Sequence, residues 1–209
     1  LKNGKMIKET RILSQIFRLK RELHIRRTVC VMEYDEAVSP MIIGFIKPVL
    51  VLPKEQYDSE DLFFILKHEL VHLKRGDVYL KLLFVTANAL HWFNPIIWIM
   101  QKEAVIDMEL SCDERVTQGT SFALRKAYTE TLLSMLHKQC ARKTVLSTQF
   151  YGGTRIMKKR FKNILMRNRK KNGISILICA VVLSITLGML VGCSVTKENT
   201  DKENTEKEN

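Results

Sequence analysis

An uncharged run of 22 residues constrains this chain more than any other feature of its sequence. Residues 174–195 read ISILICAVVLSITLGMLVGCSV, and a helix needs about 20 apolar residues to cross the hydrocarbon core of a bilayer. Residues 155–171 carry nine Lys or Arg and no acid, whereas residues 196–209 carry five acids and three lysines. Because basic residues favour the cytoplasmic side of a span, the sequence predicts a transmembrane helix with the basic run inside and the tail outside.

The net charge of +12 is concentrated in that basic run and in residues 1–27, which carry nine further bases against two acids. We interpret the run as topological and lipid-facing, because no aromatic-basic interleaving and no known reading module supports direct nucleic-acid binding. The five cysteines show no paired spacing, which is typical of a reduced cytoplasmic domain. The chain begins at Leu1 instead of Met, which leads us to expect a fragment or an incomplete gene product.

Apolar spacing predicts the secondary structure of the remainder. A basic amphipathic helix is expected within 6–24, docked on its own domain in preference to a membrane surface. A second helix can be capped by Asp58 or Ser59 and ended by Gly76. Two or three short strands are predicted at 28–34, 41–46 and 48–52, where prolines confine them to sheet edges or strand ends. Two later helices are predicted at 97–117 and 121–140.

The second helix contains the stretch FILKHELVHLKRGD. His68 and His72 are four residues apart, so both imidazoles lie on one helix face and can bind a single ion. Glu69 lies beside them, where a carboxylate can take a proton from water activated by the metal. Zinc suits imidazole ligands and lowers the pKa of water towards 7. This spacing predicts a zinc site, although it is too short a pattern to assign one by itself.

A catalytic zinc ion needs a third protein ligand and an open fourth position. Glu109 is a candidate for the third ligand. Asp113 follows one helical turn later, where it can accept a hydrogen bond from a ligating imidazole. Asp107, Cys112 and Glu114 are nearby competitors, and Cys112, which offers a thiolate, ranks below Glu109.

Four motifs follow one another along the chain: SPMIIGFIKPVLVLP at 39–53, HELVH at 68–72, HWFNPIIW at 91–98 and ELSCDE at 109–114. In this order they resemble the BlaR/MecR-type antirepressor membrane metallopeptidases, and the resemblance runs from about residue 20 to residue 195. It implies a zincin-like metallopeptidase domain in which His68, His72 and Glu109 bind Zn²⁺. Glu69 is then the catalytic carboxylate.

The resemblance sets a condition on residues 78–100, which carry a single charge and are interrupted at Asn94 and Pro95. If this segment crossed the bilayer once, Glu109 would lie on the opposite side from His68, and one zinc ion would not reach both. We therefore expect the segment to be buried, to lie along the interface, or to enter the membrane and return.

The resemblance also implies a function. We expect a zinc-dependent endopeptidase of bacterial signal transduction that cleaves a cytoplasmic transcriptional repressor, its own linker before the final span, or both. Its partners would be this protein substrate and membrane lipid. This sequence holds neither the membrane helices before the zinc domain in that family nor the penicillin-binding domain after its last span, so beta-lactam sensing does not carry over.

Two other functions compete with this expectation. A non-catalytic membrane receptor would use the zinc-binding fold as a scaffold, although a scaffold has no physical need for Glu69. A general membrane-associated zinc protease would cleave unfolded segments broadly instead of one repressor. Separately, LVGC at 190–193 resembles a bacterial lipoprotein processing site, and a span that ends in Gly-Cys is the simpler interpretation.

The predicted fold class is α+β, mainly helical, with a small edge sheet and an attached transmembrane helix. The expected organisation begins with a basic amphipathic helix at 1–27 and a membrane-apposed cytoplasmic metallopeptidase domain at 28–153. A basic juxtamembrane segment follows at 154–173. The transmembrane helix occupies 174–195, and a disordered polar tail at 196–209 lies outside the bacterial cell membrane.

Overall fold

A computed structural model of the chain describes residues 4–142, residues 150–166 and Val182. Its helices and strands confirm the predicted mainly helical α+β fold with a small sheet. In chain order they are β1 (Lys5–Met6), α1 (Thr10–Glu22), β2 (Cys30–Tyr34), β3 (Met41–Ile43), β4 (Val49–Pro53), α2 (Ser59–Arg75), α3 (Asp77–Leu90), α4 (Pro95–Val116), α5 (Phe122–Arg142) and α6 (Phe150–Met166).

The strands form one mixed sheet in the order β1-β2-β4-β3. Strand β4 pairs in parallel with β2 and antiparallel with β3, and β1 pairs antiparallel with β2. The three predicted strands are therefore present, but β4 is an interior strand and cannot serve as an edge. Strand β3 is the edge strand on the side of α2, which it contacts.

Helix α2 lies between two apolar clusters. Its residues Leu62, Leu66 and Leu70 follow one another at intervals of four and pack against α1 and the sheet. Phe64 and Val71 lie on another face and pack against α4, α5 and α6. Because both faces are buried, α2 is held in place from both sides.

Helix α1 docks on this domain, as the sequence predicts. It buries Ile12, Ile16 and Leu19 in the first cluster, and its basic residues occupy the remaining surface. Lys67 of α2 forms an ion pair with Glu22 at the end of α1, at a distance of 3.0 Å.

Residues 78–100 belong to a hairpin that is formed by α3 and α4. Asn94 caps α4 by accepting a hydrogen bond of 3.0 Å from the amide of Ile96, and Pro95 occupies the first turn. The predicted break at Asn94 and Pro95 is therefore present. Proline suits this position because its missing N–H would have no partner in the first helical turn.

Among the described helices, none combines the length and the apolar composition that a bilayer span requires. The span predicted at 174–195 lies outside the described residues, apart from Val182.

Gly76 joins α2 to α3 and has a left-handed backbone conformation with φ of 70°. Its amide caps α2 by donating to the carbonyls of His72 and Leu73.

We predict that Gly76→Ala lowers the free energy of unfolding by about 1–2 kcal/mol, because a Cβ disfavours this conformation. Gly76→Asn adds the same Cβ, 3.2 Å from the Tyr79 ring, but asparagine tolerates positive φ. Urea unfolding in mild detergent should show a smaller loss for Asn, and equal losses would assign the effect to the contact with Tyr79.

Candidate metal centre

The two histidines of α2 meet at their Nε2 atoms. His68 is buried and His72 is partly buried, and their Nε2 atoms lie 3.1 Å apart. The rings stand nearly perpendicular to each other, with an angle of 84° between their planes. The structure thus brings together the two imidazoles that the helical spacing places on one face.

Glu109 reaches the same point from α4. One carboxylate oxygen lies 3.5 Å from Nε2 of His68, and the other lies 3.5 Å from Nε2 of His72. Arg75 fixes the two helices relative to each other by donating a hydrogen bond of 3.2 Å to the carbonyl of Met108. Burial raises the pKa of Glu109, but His68 and Arg160 outweigh it and hold the pKa well below its usual range. The carboxylate is therefore ionised.

Asp77 orients His72 from the start of α3. Its Oδ2 atom lies 2.6 Å from Nδ1 of His72, and its Oδ1 atom pairs with Nε of Arg75 at 3.3 Å. Nδ1–H of the imidazole donates to this buried carboxylate, so Nε2 is left to face Glu109. Burial lowers the pKa of His72, but Asp77 and Cys112 more than offset it and raise the pKa to about 9. The surroundings of His72 therefore favour a positively charged imidazole.

Tyr128 of α5 orients His68 in the same manner. Its hydroxyl lies 2.8 Å from Nδ1 of His68 and donates a hydrogen bond of 2.6 Å to Oδ1 of Asp113. Because the single hydroxyl proton goes to Asp113, the tyrosine oxygen accepts from Nδ1–H of His68. Asp113 lies 3.7 Å from Nδ1, so it acts on the imidazole through Tyr128 and not by the direct hydrogen bond that the spacing suggests. Burial, followed by the charge of Asp113, raises the pKa of Tyr128 well above 10.

Arg160 of α6 completes this network. Its Nε and Nη2 atoms each donate a hydrogen bond of 2.7 Å to the carboxylate of Asp113, and Nη1 lies 3.2 Å from Glu109. Arg160 belongs to the basic run at 155–171, and the interpretation of this run as lipid-facing is wrong for Arg160, which is buried. Arg160 is buried because α6 packs against α4 and α5. Its positive charge compensates the fully buried carboxylate of Asp113.

Glu69 lines a cavity of about 330 Å³ together with His68, His72 and Glu109. Burial raises the pKa of Glu69, and the two histidines partly oppose this shift. A raised pKa suits a carboxylate that accepts a proton and later releases it. Edge strand β3 lines the same cavity through Met41 and Ile42.

Cys112 is the nearest of the other candidate ligands. Its Sγ atom lies 3.4 Å from Nδ1 of His68, and the thiol falls within 4.8 Å of one nitrogen of each histidine. Burial raises the pKa of the thiol, but His68 and His72 outweigh it and lower the pKa. Asp107 and Glu114 are exposed. The geometry therefore presents two sets of possible ligands, which share the histidines and differ in Glu109 or Cys112.

The dimensions of the first set suit a zinc ion. Tetrahedral zinc with bonds of about 2.0–2.1 Å separates its ligand atoms by about 3.3 Å. The separations here are 3.1 Å between the two Nε2 atoms and 3.5 Å from each to Glu109. Two imidazole lone pairs at this distance repel each other unless a proton or a metal cation lies between them.

Sequence reasoning did not identify three residues of this centre, namely Asp77, Tyr128 in its role beside His68, and Arg160. The local sequence could have predicted the role of Asp77, because a carboxylate directly after a left-handed glycine can contact the end of the preceding helix. Arg160 shares a helix face with Met157, Phe161 and Ile164, which pack against or belong to the second cluster.

Comparisons with known proteins show the family of this chain. The model of the BlaR1 peptidase M56 family matches residues 2–164, so the chain belongs to this family of metallopeptidases. It is 28% identical over 167 residues to regulatory protein BlaR1 of Bacillus licheniformis, covering 78% of this chain and 28% of the relative. BlaR1 of Staphylococcus aureus is 25% identical over 186 residues, covering 85% and 32%.

A third relative is the methicillin resistance mecR1 protein of Staphylococcus aureus. It is 28% identical over 163 residues, covering 73% of this chain and 28% of the relative. The chain thus spans about a third or less of the length of these relatives. The predicted resemblance to BlaR/MecR-type proteins is confirmed.

The buried pair of Arg160 and Asp113 yields a stability prediction. We expect Arg160→Met to lower the free energy of unfolding by about 3–5 kcal/mol, because it leaves the fully buried Asp113 carboxylate without its cation. Adding Asp113→Asn removes that charge and should recover much of the loss. Lys159→Met is the matched control. Its pair with Glu103, at 3.7 Å, is largely exposed, so its loss should stay within about 1 kcal/mol. Equal losses for Arg160 and Lys159 in urea unfolding would contradict the account.

Proposed function

We propose that this chain is a zinc-dependent endopeptidase module with a zincin-like fold. The observation that carries the proposal is the convergence of three ligand groups beside a fourth carboxylate. Nε2 of His68 and of His72 and the carboxylate of Glu109 face one point, and Glu69 lines the adjoining cavity. Glu69 is not needed to bind the metal, so a scaffold would have no use for its carboxylate. A hydrolase needs such a group next to the metal as a general base.

Glu109 is the better third ligand because of the way each imidazole is oriented. Nδ1 of His72 donates to Asp77 and Nδ1 of His68 donates to Tyr128, which leaves both Nε2 atoms as metal donors. The carboxylate oxygens of Glu109 lie 3.5 Å from those two atoms. The short contact of Cys112 is with Nδ1 of His68, a nitrogen already engaged by Tyr128. Asp113 orients His68 through Tyr128, and Arg160 pairs with the carboxylate of Glu109.

His68, His72 and Glu109 would hold a zinc ion, which would supply Lewis acidity for the hydrolysis of a peptide bond by water. Glu69 accepts the proton from the attacking water and delivers it to the leaving amine. The network from His68 through Tyr128 to Asp113 holds one imidazole in a fixed tautomer. Asp77 does the same for His72, so neither ring needs to reorient during the reaction.

We expect the substrate peptide to bind along the edge of strand β3, which sets the direction of the peptide. Among the described residues it pairs only with β4, and Met41 and Ile42 line the cavity that holds Glu69. A peptide added to this edge would gain main-chain hydrogen bonds and pass the metal centre in an extended conformation. Strand β4 is excluded from this role because it is paired on both sides.

The names of the relatives suggest the setting of this activity. Two are called regulatory proteins and a third a methicillin resistance protein. From the uncharged run at 174–195 and the basic residues before it, we propose that the chain lies at the bacterial cell membrane, with the catalytic site cytoplasmic, the span at 174–195 and the tail outside. Its substrate would be a transcriptional repressor or its own linker before the span.

The Glu69→Gln variant tests the catalytic assignment. The full chain, purified in detergent with zinc, is incubated alone and with unfolded casein, and new termini are identified by mass spectrometry. We expect self-cleavage or casein cleavage by the wild type and a loss of at least about 100-fold in Glu69→Gln, because general-base catalysis contributes about 10²–10⁴-fold. Zinc content should be unchanged.

Glu114→Gln is the matched control, since it makes the same change at an exposed site on α4 and should retain full cleavage. Cleavage by Glu69→Gln at the wild-type rate would contradict the role of Glu69. A wild-type chain that binds zinc but cleaves neither itself nor casein would favour a non-catalytic receptor. Cleavage of casein at many positions would favour a general protease.

A further inference from the structure

The hairpin of α3 and α4 exposes many large apolar side chains. Between Lys81 and Lys102 the sequence contains no Asp, Glu, Lys or Arg. The exposed apolar side chains of this hairpin are Leu80, Leu82, Leu83, Val85, Leu90, Trp92, Phe93, Ile96, Trp98, Ile99 and Met100. Contiguous apolar surface of this kind marks a contact with another protein or with a membrane.

The distribution of these side chains favours lipid over a single protein partner. Trp98, Ile99 and Met100 are consecutive and are 47%, 61% and 52% exposed. Consecutive helical residues point about 100° apart, so α4 is apolar around much of its circumference here. A helix that packs on one protein partner needs only one apolar stripe, whereas a helix surrounded by lipid is apolar all round.

Three polar side chains of the hairpin donate hydrogen bonds within it, whereas the buried Oδ1 atom of Asn88 has no partner among the described residues. The buried side chain of Asn88 on α3 donates to Gln101 on α4. The hydroxyl of Thr86 donates to a carbonyl one turn earlier at 3.0 Å, and the indole N–H of Trp98 donates to the carbonyl of Trp92 at 3.2 Å. Internal hydrogen bonds of this kind are what a lipid environment requires, because lipid offers no partners.

The lengths of the two helices set the depth that the hairpin can reach. Ten residues separate Lys81 from His91, which corresponds to about 15 Å of helix. Lys102 lies seven residues from the start of α4, or about 10 Å. The hydrocarbon core of a bilayer is about 30 Å thick, so the hairpin can enter one leaflet only. Both lysines then lie near its entry, where their amines can reach anionic lipid phosphates.

We propose that the α3–α4 hairpin inserts into the cytoplasmic leaflet of an anionic bilayer, with the turn at 91–94 deepest and with Lys81 and Lys102 at the headgroups. This inference rests on the membrane location in the proposed function but not on hydrolysis. Asp77, the partner of His72, begins α3, so the metal centre lies at the base of the inserted hairpin. The cavity therefore opens beside the membrane surface, where it receives peptide segments that lie close to the bilayer.

The tryptophans of the chain provide a direct test. The chain contains only two, Trp92 and Trp98, and both belong to the hairpin. The full-length Glu69→Gln chain is reconstituted into vesicles of phosphatidylglycerol and phosphatidylcholine with bromine at shallow or deep acyl positions. Trp98→Phe leaves Trp92 as the only indole, and Trp92→Phe leaves Trp98. We expect acyl bromines to quench both, with Trp92 more sensitive to deep bromines than Trp98.

Two charge variants complete the experiment. Leu83→Glu places a charge on the inserted surface and should remove most of the quenching. Phe17→Glu makes a matched change at an exposed apolar residue of α1 and should leave quenching unchanged. If acyl bromines leave both indoles unquenched in vesicle-bound chain, the hairpin is covered by protein and the proposal is wrong. It is also wrong if Trp98 lies deeper than Trp92, or if the two Glu variants behave alike. Since the chain tested is inactive, a failure of hydrolysis would not affect this result.

Discussion

The close approach of two imidazole nitrogens determines which charged groups must surround α2. Nε2 of His68 and of His72 lie 3.1 Å apart, and this pair is stable only with a cation or a proton between the two lone pairs. The surrounding protein is arranged to supply negative charge from three directions. Glu109 comes from α4, Asp77 from α3, and Asp113 acts through Tyr128 of α5. Helices α3, α4 and α5, which pack on α2, therefore also serve the metal centre, whereas α1 packs on α2 through its apolar side chains.

Local sequence patterns were sufficient for much of this account. The spacing of His68 and His72 on a helix needs only the helical repeat. The end of α2 at Gly76 is also a local feature, whereas Asp58 precedes the helix without a side-chain capping hydrogen bond. The break before α4 is similarly local, because Asn94 caps and Pro95 cannot continue the preceding helix. These features depend on neighbours within one or two turns, so a single sequence is enough to predict them.

The remaining features depend on contacts between distant segments. The pairing of β4 on both sides results from the order of strands in the sheet, which no local pattern encodes. Arg160 is separated from Asp113 by 47 residues, and a basic residue within a basic run gives little reason to expect burial. The interposition of Tyr128 between His68 and Asp113 requires a third helix. Side chains that support a metal ligand from another element are therefore the part that sequence reasoning misses.

The number of zinc ions bound per chain shows whether His68, His72 and Glu109 form a metal centre. It should be measured by metal analysis on full-length chain in detergent without chelator, for wild type, Glu109→Ala and Cys112→Ala. The account predicts close to one zinc in the wild type, a sharp fall in Glu109→Ala and little change in Cys112→Ala. Full zinc binding by Glu109→Ala together with its loss in Cys112→Ala would show that the thiolate is the third ligand and would contradict the proposed catalytic centre.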